Sequence, residues 1–325
     1  MLEVGIIGGA GYTAGELIRL LLNHPKTNIN FVYSTSNAGN KLYKVHQDLV
    51  GSTDISFSSE VNTNVDVLFL CLGHGNSTAF LQKNSFSDTT KIIDLSNDFR
   101  LTADKNFEGK EFVYGLPELQ KEAIKSAKYI ANPGCFATAL QLAILPLAAN
   151  GLLKNDVHIN AVTGATGAGT SLSATTHFTW RDNNFSHYKA FNHQHLGEIN
   201  QTVKQLQADF NSEINFMPNR GDFSRGIFAT TYTKFDGTLE EAKTIYKEYY
   251  KDAAFTIVSD ESIFMKQVVN TNKCLVQLEK HGNKLLITST IDNLLKGASG
   301  AAIQNLNLMY GFEETLGLNL KANYF

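Results

Sequence analysis

Short apolar runs alternate with amphipathic stretches over the first 130 residues of the chain. Continuous apolar runs predict strands that are covered on both faces, as in a parallel sheet. The stretch after the first run keeps Leu17, Leu20 and Leu21 on one face, and it predicts a helix over about 12–22. Strands that alternate with helical connections predict a doubly wound, Rossmann-type α/β domain. The runs lie at residues 2–7, 28–33, 67–72, 91–95 and 128–131.

Half-buried, alternating patterns replace the continuous runs in the second half of the chain. This alternation is typical of antiparallel strands, and His281-Gly282-Asn283 has the composition of a hairpin turn. We therefore expect a second, α+β domain with an antiparallel sheet. Its predicted strands lie at 158–163, 215–218, 226–234, 274–280 and 284–292, and further helices are predicted at about 196–210 and 297–310. The polar stretch 164–195 is too long for an idle connection and is expected to carry function.

Composition excludes several classes of function. The net charge of −3 offers no basic footprint for nucleic acid or an anionic membrane. Three scattered cysteines do not suggest a disulfide framework, and no cysteine or histidine spacing suggests a metal site. The N-terminus has no signal peptide pattern, and the apolar stretch 136–149 is too short to span a bilayer. We expect a cytoplasmic protein.

A glycine-rich turn follows the first strand and opens the first helix. Gly8 permits the tight turn, and Gly11 lets the backbone approach a pyrophosphate held at the helix N-terminus, next to Tyr12 and Thr13. The alternative is a plain tight turn. Ser34 and Ser36 stand at the end of the second strand, where an NAD enzyme would carry an acid. Hydroxyl groups there, with Lys41 close behind, favour NADP as the cofactor.

Cys135 is placed to become a nucleophile. Asn132 is expected to cap the following helix and Pro133 to lie in its first turn. The cysteine would then lie at the positive end of the helix dipole, where a thiol loses its proton more easily. The alternative is a small buried residue that opens a core helix. With a nicotinamide cofactor, the thiolate indicates attack on an acyl phosphate, reduction of the thioester by hydride and release of an aldehyde.

Collapse of the reduced intermediate needs an acid/base, for which histidine has a suitable pKa. We favour His195 over His193, since two histidines spaced i, i+2 cannot share a helical face; both could also be polar loop residues. His74, beside Gly73 after a buried strand, is expected to shape the nicotinamide pocket. Arginine would recognise the anionic groups of the substrate. The candidates are Arg225, at the mouth of a strand, and Arg181 and Arg220, in loops.

These motifs, taken in order, resemble those of the N-acetyl-gamma-glutamyl-phosphate reductase family along nearly the whole chain. The matching segments are Gly8-Gly9-Ala10-Gly11-Tyr12-Thr13, Ile93-Asp94-Leu95-Ser96, Tyr114-Gly115-Leu116-Pro117-Glu118, Asn132-Pro133-Gly134-Cys135-Phe136-Ala137-Thr138, His193-Gln194-His195 and Lys296-Gly297-Ala298-Ser299-Gly300. The resemblance implies NADPH-dependent reduction of N-acetyl-gamma-glutamyl phosphate to N-acetylglutamate 5-semialdehyde and phosphate, in arginine biosynthesis, with Cys135 as the acyl-enzyme nucleophile.

The resemblance also implies how the chain is organised. Lys296 and Gly297 would line the nicotinamide end of the cofactor, and the C-terminal helix would complete the first domain. The NADP-binding domain would then comprise residues 1–134 and 297–325, and the catalytic and oligomerisation domain residues 135–296. Members of the family form homo-oligomers, here a dimer or a tetramer.

Three other functions remain open from the residues alone. The same chemistry could act on another N-acyl or a carrier-linked acyl phosphate. Aspartate-semialdehyde dehydrogenase shares the mechanism, although its cysteine usually lacks the Pro133-Gly134 and Phe136 neighbours. An NADP-binding regulator that has lost catalysis is disfavoured by the intact Cys135 and His195.

Overall fold

The structure, a computed structural model, describes all residues 1–325 and divides into two units. The first comprises Met1–Pro133 with Ala298–Asn319, and the second Gly134–Gly297 with Leu320–Phe325. The last six residues differ from the expected boundary, because they pair with the second unit. Asn270 donates its side-chain amide to the carbonyl of Lys321, and the backbone N–H of Asn323 donates to the carbonyl of Val269.

A seven-stranded sheet forms the centre of the first unit. Its order is β2-β1-β3-β4-β7-β6-β5, and every pairing is parallel except that of β5 with β6. This arrangement confirms the predicted doubly wound domain. The strands are β1 (Leu2–Ile7), β2 (Thr27–Tyr33), β3 (Val67–Leu70), β4 (Lys91–Asp94), β5 (Asn106–Phe107), β6 (Lys110–Tyr114) and β7 (Tyr129–Ala131), and the first three helices are α1 (Tyr12–Leu22), α2 (Ser77–Lys83) and α3 (Pro117–Ser126).

The last helix of the chain, which follows the elements of the second unit, packs in the first unit. It is apolar enough to be buried along its whole length, Gly300–Met309. Ser299 Oγ donates to the carbonyl of Thr13, and Asn305 Nδ2 donates to the carbonyl of Gly115, at 2.7 and 2.9 Å. These bonds connect the C-terminal segment to the start of α1 and to the loop before α3.

The second unit is built on a mixed sheet rather than the expected antiparallel one. Its strands are β8 (Val157–Thr163), β9 (Ser186–His187), β10 (Ile214–Arg220), β11 (Ile227–Lys234), β12 (Thr256–Ser259), β13 (Cys274–His281) and β14 (Lys284–Ile291). Their order is β12-β13-β14-β11-β8-β10-β9, in which β8 pairs with β10, and β12 with β13, in parallel. Helix α6 (His195–Leu206) lies in the connection between β8 and β10, so these strands can run in parallel, and residues 260–273 connect β12 to β13. Helix α7 (Leu239–Tyr249) connects β11 to β12.

Helix α4 (Cys135–Ala149) forms the core of the second unit, with every residue from Phe136 to Ala148 buried. Pro146 lies inside this helix and has no N–H to donate to the carbonyl of Leu142. The hydroxyl of Tyr250 donates to that carbonyl at 2.6 Å, and the hydroxyl of Tyr246 donates to the carbonyl of Ala143 at 2.5 Å. A buried helix thus tolerates its proline because a neighbouring side chain supplies the missing donor. Two further helices, α5 (Phe178–Arg181) and α8 (Gly300–Met309), complete the fold.

Candidate active site

Cys135 is the first residue of α4, as predicted, but the expected cap is wrong. Gly134 is the N-cap residue, no side chain caps the helix, and the first turn contains no acid. Asn132 instead donates to the carbonyl of Ala298 at 3.1 Å. Since no side-chain cap competes for them, the N–H groups of the first turn are available to an anion beside the half-buried thiol.

Glu198 connects the start of α4 to His195. Its Oε2 accepts a hydrogen bond from the backbone N–H of Gly134 at 2.9 Å, and its Oε1 lies 4.0 Å from Nε2 of His195. Both side chains are buried, with 3% and 6% exposure. The carboxyl group of Glu198 thus lies against the imidazole and limits the orientations that the ring can adopt. The arrangement equips His195 to hold and release a proton.

Glycine at position 134 makes this contact possible. A Cβ atom built on Gly134 would lie 2.3 Å from Nε2 of His195, so the imidazole rests directly on the backbone that leads into Cys135. Phe136 follows Cys135 in the sequence. Its ring centroid lies 6.4 Å from that of His195 and 5.5 Å from that of His193. The structure therefore brings both predicted histidines to the start of α4.

His193 is held as a neutral acceptor. Its Nδ1 accepts the backbone N–H of His195 at 3.2 Å, which places the remaining proton of the neutral ring on Nε2. Burial, together with the charges of Lys189 and Arg220, lowers the pKa of His193 to about 4. A ring that stays neutral and engaged at physiological pH suits the positioning of His195 better than proton transfer.

Tyr188 is a further member of the site that the sequence did not indicate. Its ring meets that of His193 edge-on, with 5.8 Å between centroids. Burial, together with the charge of Cys135, raises the pKa of Tyr188 to about 12, so its hydroxyl stays protonated. Tyr188 therefore places a hydrogen-bond donor in the electrostatic neighbourhood of the thiol.

Arg225, the favoured substrate anchor, binds an acid of its own chain. Its Nε and Nη2 donate to the two carboxylate oxygens of Asp292 at 3.1 and 3.2 Å. Asp292 also accepts the N–H groups of Asn270, Leu294 and Leu295. The bidentate geometry that would recognise a substrate anion is thus already used to tie the start of β11 to the end of β14.

Arg181 ends the short helix α5 rather than lying in a loop, and it is 7% exposed. Its Nη1 donates to the carbonyls of Asn184 and Arg220, and its Nη2 to the carbonyl of Thr175. Arg220 is the last residue of β10. Arg181 therefore holds the segment 175–184 against the end of that strand.

The two residues that the resemblance assigned to the nicotinamide end belong to the second unit. A Cβ atom on Gly297 would lie 2.8 Å from Cβ of Cys135, so this backbone packs on the cysteine itself. Lys296 has no exposed surface, and its Nζ lies 5.9 Å from the ring centroid of Phe255. The assignment of both residues to the nicotinamide end stays a prediction.

The glycine turn of the first unit fits a pyrophosphate. Gly8 has φ +80°, and a Cβ there would lie 2.5 Å from the carbonyl oxygen of Cys71. Gly11 is the N-cap residue of α1, and no side chain caps this helix. By contrast with Gly8, a Cβ atom built on Gly11 would have no protein atom within 4 Å. Protein packing does not require glycine at position 11, whereas close approach of a ligand to the helix N-terminus does.

The other cofactor candidates lie along the edge of the sheet where parallel strands end. Tyr12 is exposed at the start of α1, and Thr13 accepts the Ser299 hydrogen bond. Ser34 and the exposed Ser36 follow β2, where Asn37 donates to both hydroxyls. Gly73 and His74 follow β3, and Nδ1 of His74 accepts the N–H of Asn97 at 3.2 Å. The carboxyl ends of parallel strands are the usual location of dinucleotide sites.

Sequence reasoning missed Glu198, Tyr188 and Asp292 as parts of the site. Glu198 had a usable signal, because it lies one helical turn after His195 and so shares its face. Asp292 had none, since its partner Arg225 is 67 residues away. Tyr188 is close to His193 in the chain, but the irregular segment between them has no periodicity that would indicate the ring contact.

Comparisons with known proteins place the chain in a family. A semialdehyde dehydrogenase NAD binding domain matches residues 3–127, and a semialdehyde dehydrogenase dimerisation domain matches residues 135–293. Proteins named N-acetyl-gamma-glutamyl-phosphate reductase are 70% identical in Christiangramia forsetii, 64% in Flavobacterium johnsoniae and 56% in Bacteroides thetaiotaomicron. Each of these matches covers the whole of both chains.

Solved structures share the fold at low identity. Aspartate semialdehyde dehydrogenase II from Vibrio cholerae matches with a TM-score of 0.73 and 15% identity, over 96% of this chain and 99% of that one. The NADP complex of the Candida albicans aspartate semialdehyde dehydrogenase matches with a TM-score of 0.68 and 14% identity, over 95% and 98%. None of the helices combines the length and the apolar character needed to span a bilayer.

Proposed function

The chain belongs to the N-acetyl-gamma-glutamyl-phosphate reductase family of semialdehyde dehydrogenases, and we propose that it reduces N-acetyl-gamma-glutamyl phosphate to N-acetylglutamate 5-semialdehyde and phosphate. This is an oxidoreductase step of arginine biosynthesis that uses a nicotinamide cofactor. The observation that carries the proposal is the arrangement at the start of α4, where Glu198 holds both the N-cap of the Cys135 helix and the imidazole of His195.

Cys135 attacks the acyl carbon of the substrate. The sulfur forms a bond to that carbon, the bond to the phosphate oxygen breaks, and phosphate leaves with its electron pair. The uncapped N–H groups of the first turn of α4 stabilise the oxyanion of the tetrahedral intermediate. The product of this half-reaction is a thioester on Cys135.

The reduced nicotinamide supplies a hydride to the thioester carbon. His195 then acts as the acid/base: it protonates the oxyanion of the thiohemiacetal and removes that proton again as the carbon–sulfur bond breaks and the aldehyde leaves. Glu198 stabilises the imidazolium form, and His193 keeps the backbone of His195 in place through its Nδ1. The hydroxyl of Tyr188 stays protonated because of its raised pKa, and its ring borders the site through the contact with His193.

NADP is the proposed cofactor. Gly8, Gly11, Tyr12 and Thr13 would hold its pyrophosphate at the N-terminus of α1, and Ser34 and Ser36 would face the ribose. No acid stands at that position to bind a 2′-hydroxyl or to repel a 2′-phosphate. Gly73 and His74 would border the nicotinamide end. A cytoplasmic location and assembly into a homo-oligomer remain predictions, the latter supported by the match of residues 135–293 to a dimerisation domain.

The reverse reaction tests the function and its nucleophile together. The assay contains excess phosphate and NADP or NAD, and absorbance measures formation of the reduced cofactor. The wild type should reduce the cofactor when N-acetylglutamate 5-semialdehyde is the substrate, and far less when aspartate semialdehyde is the substrate. We expect Cys135→Ser to abolish turnover and to leave cofactor affinity unchanged, because the glycine turn belongs to the other unit. Absence of turnover with every semialdehyde, despite cofactor binding, would instead support a regulator.

Separate variants assign the acid/base. His195→Asn should lower kcat by about 10²-fold or more. His193→Asn should have a smaller effect, since an amide oxygen can replace Nδ1 as acceptor. If only the His193 variant loses activity, the two roles must be exchanged.

A further inference from the structure

Arg181 and Arg220 lie next to each other without an acidic partner for either side chain. Nη1 of Arg181 donates to the backbone carbonyl of Arg220 at 2.8 Å, and the Nε of each arginine is buried without a hydrogen-bond partner. Burial and the charge of Arg220 lower the pKa of Arg181, whereas Asp222 opposes this shift. Asp222 accepts the N–H of Asn183 and forms no ion pair with either arginine. Because a buried cation is normally paired, the buried Arg181 beside the half-buried Arg220 indicates a place for an anion.

Arg220 is the member of the pair that has donors to offer. The guanidinium of Arg181 donates to three backbone carbonyls, whereas that of Arg220 has one side chain, Tyr188, as its hydrogen-bond partner and keeps a buried Nε without one. Cζ of Arg220 lies 4.7 Å from the ring centroid of Tyr188, so the planar group stacks on an aromatic face. Tyr188 orients the guanidinium and occupies only part of its five N–H donors, which leaves the others for a bidentate ligand.

This arginine belongs to the Cys135 neighbourhood. Tyr188, on which it stacks, feels the charge of Cys135, and its ring meets that of His193 edge-on. The charge of Arg220 also contributes to the lowered pKa of His193. Three residues of the adjoining segment, Asn183, Lys189 and Phe191, have positive φ values of 52°, 46° and 60°. Such strained backbone persists where surrounding contacts over-determine a conformation, and it is common at ligand sites.

We propose that Arg220 binds a carboxylate of the acyl substrate, with Arg181 fixing the end of β10 and adding positive potential. This inference rests on the reductase activity proposed above. The N–H groups of α4 serve the reacting end of the substrate, and Arg225 is bound by Asp292, which leaves Arg220 for the distal acid. That acid is either the α-carboxylate of the glutamyl group or a carboxylate at the end of the N-acyl group.

Three semialdehydes distinguish the two sources in the reverse reaction. The first is N-acetylglutamate 5-semialdehyde, the second is 4-acetamidobutanal, which lacks the α-carboxylate, and the third carries an N-acyl group that ends in a carboxylate. Each is assayed with the wild type, Arg220→Gln and Arg220→Lys, and with Arg19→Gln as a matched loss of one charge in the first unit. Cofactor binding and thermal unfolding show that each variant is folded.

If Arg220 holds the α-carboxylate, Arg220→Gln should lower kcat/KM by about 10²-fold for the first substrate and leave that for 4-acetamidobutanal unchanged. If it holds an N-acyl carboxylate, only the third substrate should lose that factor. Arg220→Lys should restore part of it, since the charge remains without the fork. An equal loss with all three substrates, no loss with any, or a raised KM for phosphate alone would overturn the proposal. Failure of the wild type with every substrate would refute the reductase activity itself.

Discussion

At the scale of single residues, Gly134 determines how the imidazole of His195 lies beside the reactive cysteine. Its backbone angles, φ −70° and ψ 149°, are accessible to any residue, so its conformation does not require glycine. The requirement comes from the side-chain contact, since a Cβ would overlap Nε2 of His195. Glycine at this position therefore leaves the space that the imidazole of His195 occupies.

Gly134→Ala should displace that ring and leave the fold intact. We expect kcat to fall by about 10²-fold, as for loss of the acid/base, with the free energy of unfolding changed by about 1 kcal/mol or less. The same substitution in a His195→Asn background should have little further effect on kcat, because no imidazole remains to be moved. Additive losses in the double variant would contradict this explanation.

His193 provides a pH dependence of stability with a defined sign. In the unfolded chain its pKa is about 6.5, whereas in the folded protein it is about 4, so the unfolded state binds the extra proton between these values. The free energy of unfolding should therefore fall as the pH decreases from about 6.5 to about 4, by on the order of 3 kcal/mol from this residue.

His193→Asn removes the titration and keeps an acceptor for the N–H of His195. The difference in unfolding free energy between wild type and variant, from urea titrations at several pH values, should favour the wild type progressively less as the pH falls through this window. Contributions from groups common to both proteins cancel in this difference. A difference independent of pH would mean that His193 is protonated equally in both states.

At the scale of elements, α4 combines a reactive N-terminus with a proline in its fourth turn. Tyr250 donates to the Leu142 carbonyl that Pro146 leaves without an intrahelical donor, whereas Tyr246 binds the carbonyl of Ala143. The packing of α7 and its following residue on α4 thus replaces a hydrogen bond of the helix.

Tyr250→Phe should destabilise the protein by about 1–2 kcal/mol, since it leaves a buried carbonyl unsatisfied. In a Pro146→Ala background the cost should be much smaller, because the N–H of residue 146 can donate to Leu142. Tyr246→Phe is the matched control, and its cost should be similar in both backgrounds. If urea unfolding gives the same loss of stability for Tyr250→Phe in both backgrounds, Tyr250 does not replace the hydrogen bond that Pro146 removes.

At the scale of the whole molecule, the second sheet has one face that helices cover and one that they do not. Along β11 the alternate residues Ile227, Ala229, Thr231 and Thr233 are buried, and the residues between them are partly exposed. Tyr232 on the open face is 42% exposed and stacks on His158, with ring centroids 4.8 Å apart. An open face with aromatic residues fits the proposed contact with a second copy of the chain.

Light scattering after gel filtration should give a mass that is a multiple of 35.8 kDa for the wild type. Tyr232→Asp should shift the protein toward the monomer, since it places a charge within the contact. Val50→Asp, at a more exposed apolar position of the first unit (67% against 42%), should not. A wild type that is monomeric at micromolar concentration would refute the assembly.

Local rules allowed the sequence to predict much of this protein. The turn at Gly8, the helix that begins at Cys135 and the parallel strands of the first unit depend on residues within one turn or one strand of each other. The same holds for the placement of His193 and His195 at a helix entrance. Backbone preferences and periodicity act over these distances, so they can be read from the chain alone.

Only the tertiary structure decided which distant groups meet. Glu198 and Gly134 are 64 residues apart in the sequence, and Asp292 and Arg225 are 67 apart. Neither hydrogen bond can be recognised from the sequence pattern around its two residues. The parallel pairing of β8 with β10 likewise depends on contacts between distant segments. The packing of α8 in the first unit was implied by the family resemblance, but the apolar pattern of the helix does not indicate it. These contacts form because a buried polar group or strand edge must find a partner somewhere in the folded chain, and the sequence does not state where.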